Sequence, residues 1–510
     1  MKTISKRQFL KQLGGLAAFS FLSSCSNTCR QPNILFAISD DQSWLHTGIG
    51  GCKYVNTPGF DRIAREGVLF TNAYSAAPHC SPSRAAILTG RHIWQLEEAG
   101  THASSFPRKY KSVTELLASN GYEVGYTGKP WGPGNWKVSG WVQNPVGPEF
   151  NEITMPVPEG VRDTDYSENF KAFLQKRDLS KPFFFWYGAS EPHRPYLKGI
   201  GLKQGKRAGD VKVPGFLPDT PEIRSDLLDY AFEIDWFDSH LVRILDTLEK
   251  QGELDNTLVI VTSDNGMPFP RAKANMYEFG VHLPLAMRWP RKIRSGRVVD
   301  DLVSFVDFGP TLLNVAGLSV HPQMTGKSLL NLLKSKASGS IDTSREFVLS
   351  GRERHTHARP DNLGYPSRAI RFGEYLYIHN FAPDRWPAGN PTGSGEPEGY
   401  HDIDPCPTKT FMLENRLKYE HLFNLAVQQR PMQELYNVVN DPDCINNLAN
   451  DPDYKETTLK LKDKLFSKLT EQQDPRVMGN GDIFESYPRF SPMRQFKGFK
   501  KRDEYNPRYQ

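Results

Sequence analysis

The chain has 510 residues, 38% of them hydrophobic and 24% charged, which supports a sizeable core and excludes a collagen-like, coiled-coil or wholly disordered protein. Its formal net charge of +5 is concentrated at the start, where Lys2, Lys6, Arg7 and Lys11 stand without an acid, so the remainder is close to neutral. A globally basic nucleic-acid binder is thereby excluded, and attraction for an anion has to come from a local cluster.

Residues 1–25 read as an address rather than as part of the fold. A basic start precedes an apolar stretch from Leu13 to Leu22, too short to span a bilayer. The stretch ends in Leu22-Ser23-Ser24-Cys25, which resembles a bacterial lipoprotein signal, and Ser5-Lys6-Arg7-Gln8-Phe9-Leu10-Lys11 resembles a twin-arginine export signal in a Lys-Arg form. The expectation is export to the periplasm, outer membrane or cell surface, with membrane contact only through a lipid on Cys25. The six cysteines have no zinc-like spacing, and a Cys406–Cys444 disulfide stays open.

From Pro32 onward, apolar runs alternate with helix signals. Ile34–Ile38, Phe183–Tyr187 and Leu258–Val261 lack polar alternation, as strands covered on both faces do. Thr57-Pro58 opens a helix that Gly67 should stop, and Ser112 with Glu115 forms a capping-box pattern. A longer helix is expected from Pro221 to about Lys250, giving an α/β layout. After about Ser335, strand-like Phe347–Leu349 and Tyr375–Ile378 are separated by polar stretches, with a loop over 382–400 and a helix from Lys455 to about Thr470. The expected organisation is an address at 1–25, an α/β domain over 26–335, and a smaller α+β domain over 336–510. That last domain ends in a basic, aromatic tail wrapping the surface.

Two acidic pairs each follow an apolar run: Asp40-Asp41 and Asp264-Asn265. Ligands of open parallel sheets bind beyond the carboxyl ends of the strands, so these residues form a candidate all-oxygen site for a hard divalent cation. Turn formation and helix capping are the competing roles for such residues.

Cys80-Ser81-Pro82-Ser83-Arg84, continued by Leu88-Thr89-Gly90-Arg91, resembles the signature of the type I sulfatases, in which the cysteine is converted to formylglycine by a separate enzyme. The resemblance extends through Gly128-Lys129, Asp264-Asn265-Gly266, Asp307 with Pro310-Thr311, and Glu434-Leu435-Tyr436. It implies an alkaline-phosphatase-like α/β fold, a large mixed or parallel sheet between helices with the smaller C-terminal domain beside it. It also implies calcium as the metal, held by Asp40, Asp41, Asp264, Asn265 and the modified Cys80. Arg84 would hold the formylglycine, and Lys129, His193 and Lys273 would contact the sulfate. Pro82 suits the first turn of a helix whose positive end faces an anion.

One position departs from the family pattern. A histidine is usual two residues after the lysine, where this chain has Trp131, and His92 or His102 is a candidate replacement. Among sulfatases the chain looks most like the heparan N-sulfoglucosamine sulfohydrolases, through Pro268-Phe269-Pro270 after the second acidic pair and Pro192-His193-Arg194. The implied partner is a sulfated saccharide, with N-sulfoglucosamine favoured over an O-sulfate. The stretch holding Arg354, His355 and His357 is the candidate sugar-binding loop, and Trp131 and Trp386 are candidate stacking surfaces. A phosphoryl-transfer hydrolase of the same superfold and a glycan-binding sulfatase relative of weakened activity are the alternatives.

Overall fold

The computed structural model describes residues 31–392 and 399–491. The expected lipid site at Cys25 therefore lies outside the described residues.

The first large sheet uses the apolar runs seen in the sequence. Strands β1 (Asn33–Ser39), β2 (Val68–Tyr74), β3 (Glu123–Gly128), β4 (Phe183–Gly188), β5 (Thr257–Ser263), β6 (His282–Arg288) and β7 (Arg297–Val299) are ordered β3-β4-β1-β5-β6-β2-β7, and β8 (Val303–Ser304) pairs with β2. Strands β3, β4, β1 and β5 are mutually parallel, while β6 runs against both β5 and β2. The sheet is thus mixed, with a four-stranded parallel block.

Helices cover both faces, which explains the unbroken apolar strands. Along β1, Ile34, Phe36 and Ile38 point to one core with Ala85, Ile87 and Leu88 of the helix Cys80–Thr89. Leu35 and Ala37 point to the other core, against Phe170 and Phe173 of the helix Tyr166–Lys176 and Leu241, Ile244 and Leu248 of the helix Pro221–Lys250. The helix Pro58–Glu66 starts after Thr57 and stops before Gly67, as its end signals dictate. Ser112 accepts from the Glu115 amide at the start of the helix Val113–Ala118.

A second, antiparallel sheet has the order β12-β11-β10-β9, from β9 (Phe347–Arg352), β10 (Ser367–Phe372), β11 (Tyr375–Asn380) and β12 (Gln433–Asn437). Leu461, Leu465 and Leu469 of the helix Lys455–Glu471 cover its Leu349, Ile370, Tyr377 and Leu435. The same cluster includes Ala76, Ala77 and Ala86, so this sheet packs beside the start of the Cys80 helix. Cys406 and Cys444 are both free thiols. Residues 492–510 of the expected tail lie outside the described residues, while the stretch before them is tied to the body of the protein. Asn362 donates to the Glu485 and Tyr487 carbonyls, and the Phe490 amide donates to the Ala103 carbonyl, which draws Arg489 inward.

Candidate active site

Four adjacent parallel strands end at one edge, and each delivers chemistry there. β1 ends at Ser39 opposite Ser263 of β5, so Asp40-Asp41 and Asp264-Asn265 leave side by side. β3 and β4 end in the paired Gly128 and Gly188, followed by Lys129 and by the turn holding His193. The Asp41 amide donates to Asp264 Oδ1, and Asn265 Nδ2 donates to Asp41 Oδ1 at 2.6 Å. Asp41 needs a positive φ of 75° to make this turn, an uncommon conformation for a residue with a side chain.

Cys80 is the first residue of its helix and is buried. Its sulfur, Asp40 and Asp264 offer ligand atoms within 4.8 Å of one another. Arg84, one turn along, sends Nε to Asp264 Oδ2 at 2.7 Å and Nη1 to the Lys129 and Pro130 carbonyls. Lys129 pairs with Asp40, and Lys273 bridges Asp41 (2.6 Å) and Asp404 (3.1 Å). His193 sets Nδ1 against the Arg194 carbonyl at 2.6 Å and turns Nε2 toward Asp41 Oδ2, 3.9 Å away. Asp40, Cys80, Lys129, His193 and Lys273 line a cavity of about 690 Å³ together with His102, Arg162, Glu191, Glu233, His355 and Arg489.

Burial and charge divide the protons unequally. Burial raises the Asp40 carboxyl, but Lys129 above all, then His193, Arg84 and Lys273, outweighs it and holds the group well below the usual range. Asp41 is pushed up to about 6 by burial, against Lys273 and with Asp40 adding repulsion. Asp264 is pushed up to about 7 by burial and then by Asp40. Burial drives His193 down to about 3, with Lys273 adding to the effect. The Cys80 thiol is raised to about 11, chiefly by burial, so an unmodified cysteine here is not a thiolate.

The residues fit a hard cation. Asp40 Oδ1 and Asn265 Oδ1 are buried without a hydrogen-bond partner among the described residues, an expensive state for polar atoms. With Asp41 and Asp264 they make an oxygen-rich donor set of the kind calcium prefers, and the raised carboxyls of Asp41 and Asp264 want positive charge.

Of the two candidate replacements for the missing histidine, the structure brings one to the site. His102 Nε2 lies 3.4 Å from Cys80 Sγ, while His92 stacks on Trp94 at 4.5 Å. His102 Nδ1 faces the His355 carbonyl at 3.0 Å; a carbonyl only accepts, so Nδ1 carries the hydrogen and Nε2 presents its lone pair to residue 80. Trp131 is buried, with its indole donating to the Ser81 carbonyl and its ring edge-on to Phe106. Trp386 packs near Tyr400 and uses its carbonyl on Arg359.

Within the candidate sugar loop, His355 lines the cavity, and Arg354 and His357 are buried behind it. Arg354 donates to Thr101 Oγ1 and the His102 carbonyl, which braces the segment carrying His102. Asp404, Glu233 and Arg489 carry no motif that could have marked them. They reach the site from a distant loop, a helix interior and the tail.

The Sulfatase family matches residues 32–318, more than half of the chain, and the chain belongs to that family. It is 28% identical over 510 residues to human N-sulphoglucosamine sulphohydrolase, spanning 89% of this chain and 93% of that protein. It is also 29% identical over 467 residues to an ulvan-active sulfatase of Formosa agariphila, spanning 89% and 83%. A protein solved in complex with its substrate D-glucosamine-2-N,6-O-disulfate superposes with a TM-score of 0.63 at 21% identity, over 89% of this chain and 99% of that one. The protein is a sulfatase with the alkaline-phosphatase-like fold of that family.

Proposed function

We propose that this sulfatase removes sulfate from a glycosaminoglycan-type saccharide, with N-sulfoglucosamine the favoured substrate, using Cys80 as formylglycine beside a calcium ion. One observation carries the reading: the cavity holds residue 80 together with Lys129, Lys273, three imidazoles and the partner-poor Asp40 carboxylate. Similarity along almost the whole chain to human N-sulphoglucosamine sulphohydrolase supports the sugar class. The ulvan-active relative favours a second reading, an O-sulfate on another polysaccharide.

Asp40, Asp41, Asp264, Asn265 and residue 80 would hold the cation, which when bound supplies positive charge that favours ionisation of a hydroxyl at position 80. Formylglycine supplies, once hydrated, one hydroxyl to attack sulfur and a second whose proton must be removed. Lys129 and Lys273 neutralise the sulfate oxygens in a buried setting where charge counts for more than in water. Lys273, kept charged because Asp404 and Asp41 outweigh its burial, holds the proton destined for the leaving atom. His193 stays neutral and orients that atom through Nε2. Arg84 fixes Asp264 and the Lys129 backbone, so the anion-binding lysine and the helix carrying residue 80 move as one. His102 Nε2 takes the proton from residue 80, the task left open by Trp131.

Further partners in this reading are a cysteine-modifying enzyme during maturation and a membrane through a lipid on Cys25, after export to the periplasm or cell surface. No helix among the described residues is long and apolar enough to cross a membrane. The test is sulfate release from N-, 2-O-, 3-O- and 6-O-sulfated saccharides by protein co-expressed with the modifying enzyme. Release from N-sulfoglucosamine, with formylglycine seen by mass at residue 80, is expected. Release only from an O-sulfate would replace the favoured substrate, and release by a protein with unmodified Cys80 would overturn the nucleophile.

A further inference from the structure

Glu233 differs from the other buried acids around the cavity. Asp40, Asp41, Asp264 and Asp404 meet a lysine or arginine, and Asp226 meets Arg194 through two bonds of 2.8 Å. Glu191 accepts from the Arg162 amide and from the Tyr166 hydroxyl. Asp229 accepts from the Gly199 and Gly201 amides. Glu233 lines the same cavity at 1% exposure, yet among the described residues its buried Oε1 has no hydrogen-bond partner and no cation pairs with it.

A carboxyl buried in a helix interior without a donor is costly, and such a group facing a cavity has one remaining source of partners, the ligand. Its surroundings also define what that ligand must offer. Burial first, then Glu191 and Asp229, raise the group well above the usual carboxylate range. The neutral acid both donates and accepts, which matches a sugar hydroxyl better than a second sulfate.

We propose that Glu233 is a specificity-determining residue that hydrogen-bonds a hydroxyl of the substrate sugar from the cavity wall. The inference rests on the sulfatase reading for the identity of the ligand, but binding of the sugar can be measured without chemistry. Full-length protein is titrated calorimetrically with the desulfated saccharide and with a series of its monodeoxy analogues, for the native chain, Glu233→Gln and Glu233→Ala.

Glu233→Ala should weaken binding at least about tenfold, and Glu233→Gln, which keeps a donor and an acceptor in the same shape, should lose much less. One monodeoxy sugar should be weakened by a similar factor against the native chain and by no further factor against Glu233→Ala, which identifies the hydroxyl. In turnover, the alanine variant should raise KM more than it lowers kcat. Equal penalties for every deoxy sugar in native and alanine proteins would overturn the contact, even with sulfate release intact. Failure of the native chain both to bind the saccharide and to release sulfate would remove the functional reading along with it. The glutamine variant covers the case in which Glu233→Ala does not fold.

Discussion

Two charge-rich regions meet at the cavity and use their charges differently. The segment from Arg352 to Arg359 spends its charges on the protein. Arg352 and Arg359 both pair with Asp402, at 3.0 and 2.9 Å, and Thr356 donates to the same carboxylate through its amide and hydroxyl. At the ends of β1 and β5, by contrast, Asp40 pairs with Lys129 and Asp41 with Lys273, and both lysines line the cavity beside residue 80. A dense run of Arg and His in a sequence therefore reports burial needs as readily as ligand binding. Where the partners of those charges lie, on the protein framework or on the cavity wall, separates the two, and only the folded arrangement reveals it.

Substitutions can break this contrast. The largest effect is expected from Cys80→Ala, which should abolish sulfate release, read by ion chromatography, while leaving the melting transition nearly unchanged. Asp402→Ala should do the reverse in kind. Stranding the buried Arg352 and Arg359 should cost about 3–5 kcal/mol of stability, read by denaturant unfolding. A wild-type midpoint would show that the segment does not depend on that pairing.

His102→Ala should lower kcat by about a hundredfold, as loss of a proton acceptor does, with little change in KM. His92→Ala provides the control, because His92 touches Trp94 rather than residue 80. If the two variants slow turnover equally, His102 has no special part. Calcium should raise the melting temperature, with stabilisation of about 2.7 kcal/mol at a hundredfold excess over its Kd. Asp40→Asn together with Asp264→Asn should remove that response.

A further effect is a pH dependence of stability. Burial pushes His46 and His92 down to about 3 and, more than the nearby Arg243, pushes His240 down to about 4. These folded values lie below the unfolded one near 6.5, so the unfolded chain binds protons first as the pH falls. Their contribution is therefore intact above about pH 6.5 and declines as the pH drops toward 4, by at most about 1.4 kcal/mol per unit for each imidazole. Thermal melts from pH 7.5 to 5 that trend the other way would show that raised carboxyls such as Asp238, pushed by burial to about 7, dominate instead.

Much of the fold was legible because its signals are local. Unbroken apolar runs require cover on both faces, and the strands at Asn33–Ser39, Phe183–Gly188 and Thr257–Ser263 follow from that alone. Proline and glycine punctuation set both ends of the helix Pro58–Glu66, and the helix Pro221–Lys250 has the expected span. The acidic pairs could be read as one site because each directly succeeds such a strand, and neighbouring parallel strands deliver their next residues to a common edge.

Local patterns in the chain thus marked the elements and the acidic pairs Asp40-Asp41 and Asp264-Asn265 at strand ends, while Cys80, Arg84 and Lys129 were marked by the family motif. These signals are legible because strand ends and helix starts depend on hydrogen bonding and burial within a few residues, even though the bonds that then join the residues are long-range. Long-range packing alone set the partnership of Lys273 with Asp404, the approach of His102 rather than His92 to residue 80, and the exposure of Glu233 to the cavity. Each joins segments far apart in the chain through contacts that no local pattern encodes. The bond between His102 and the His355 carbonyl spans 253 positions, and it is that bond which turns the imidazole toward residue 80.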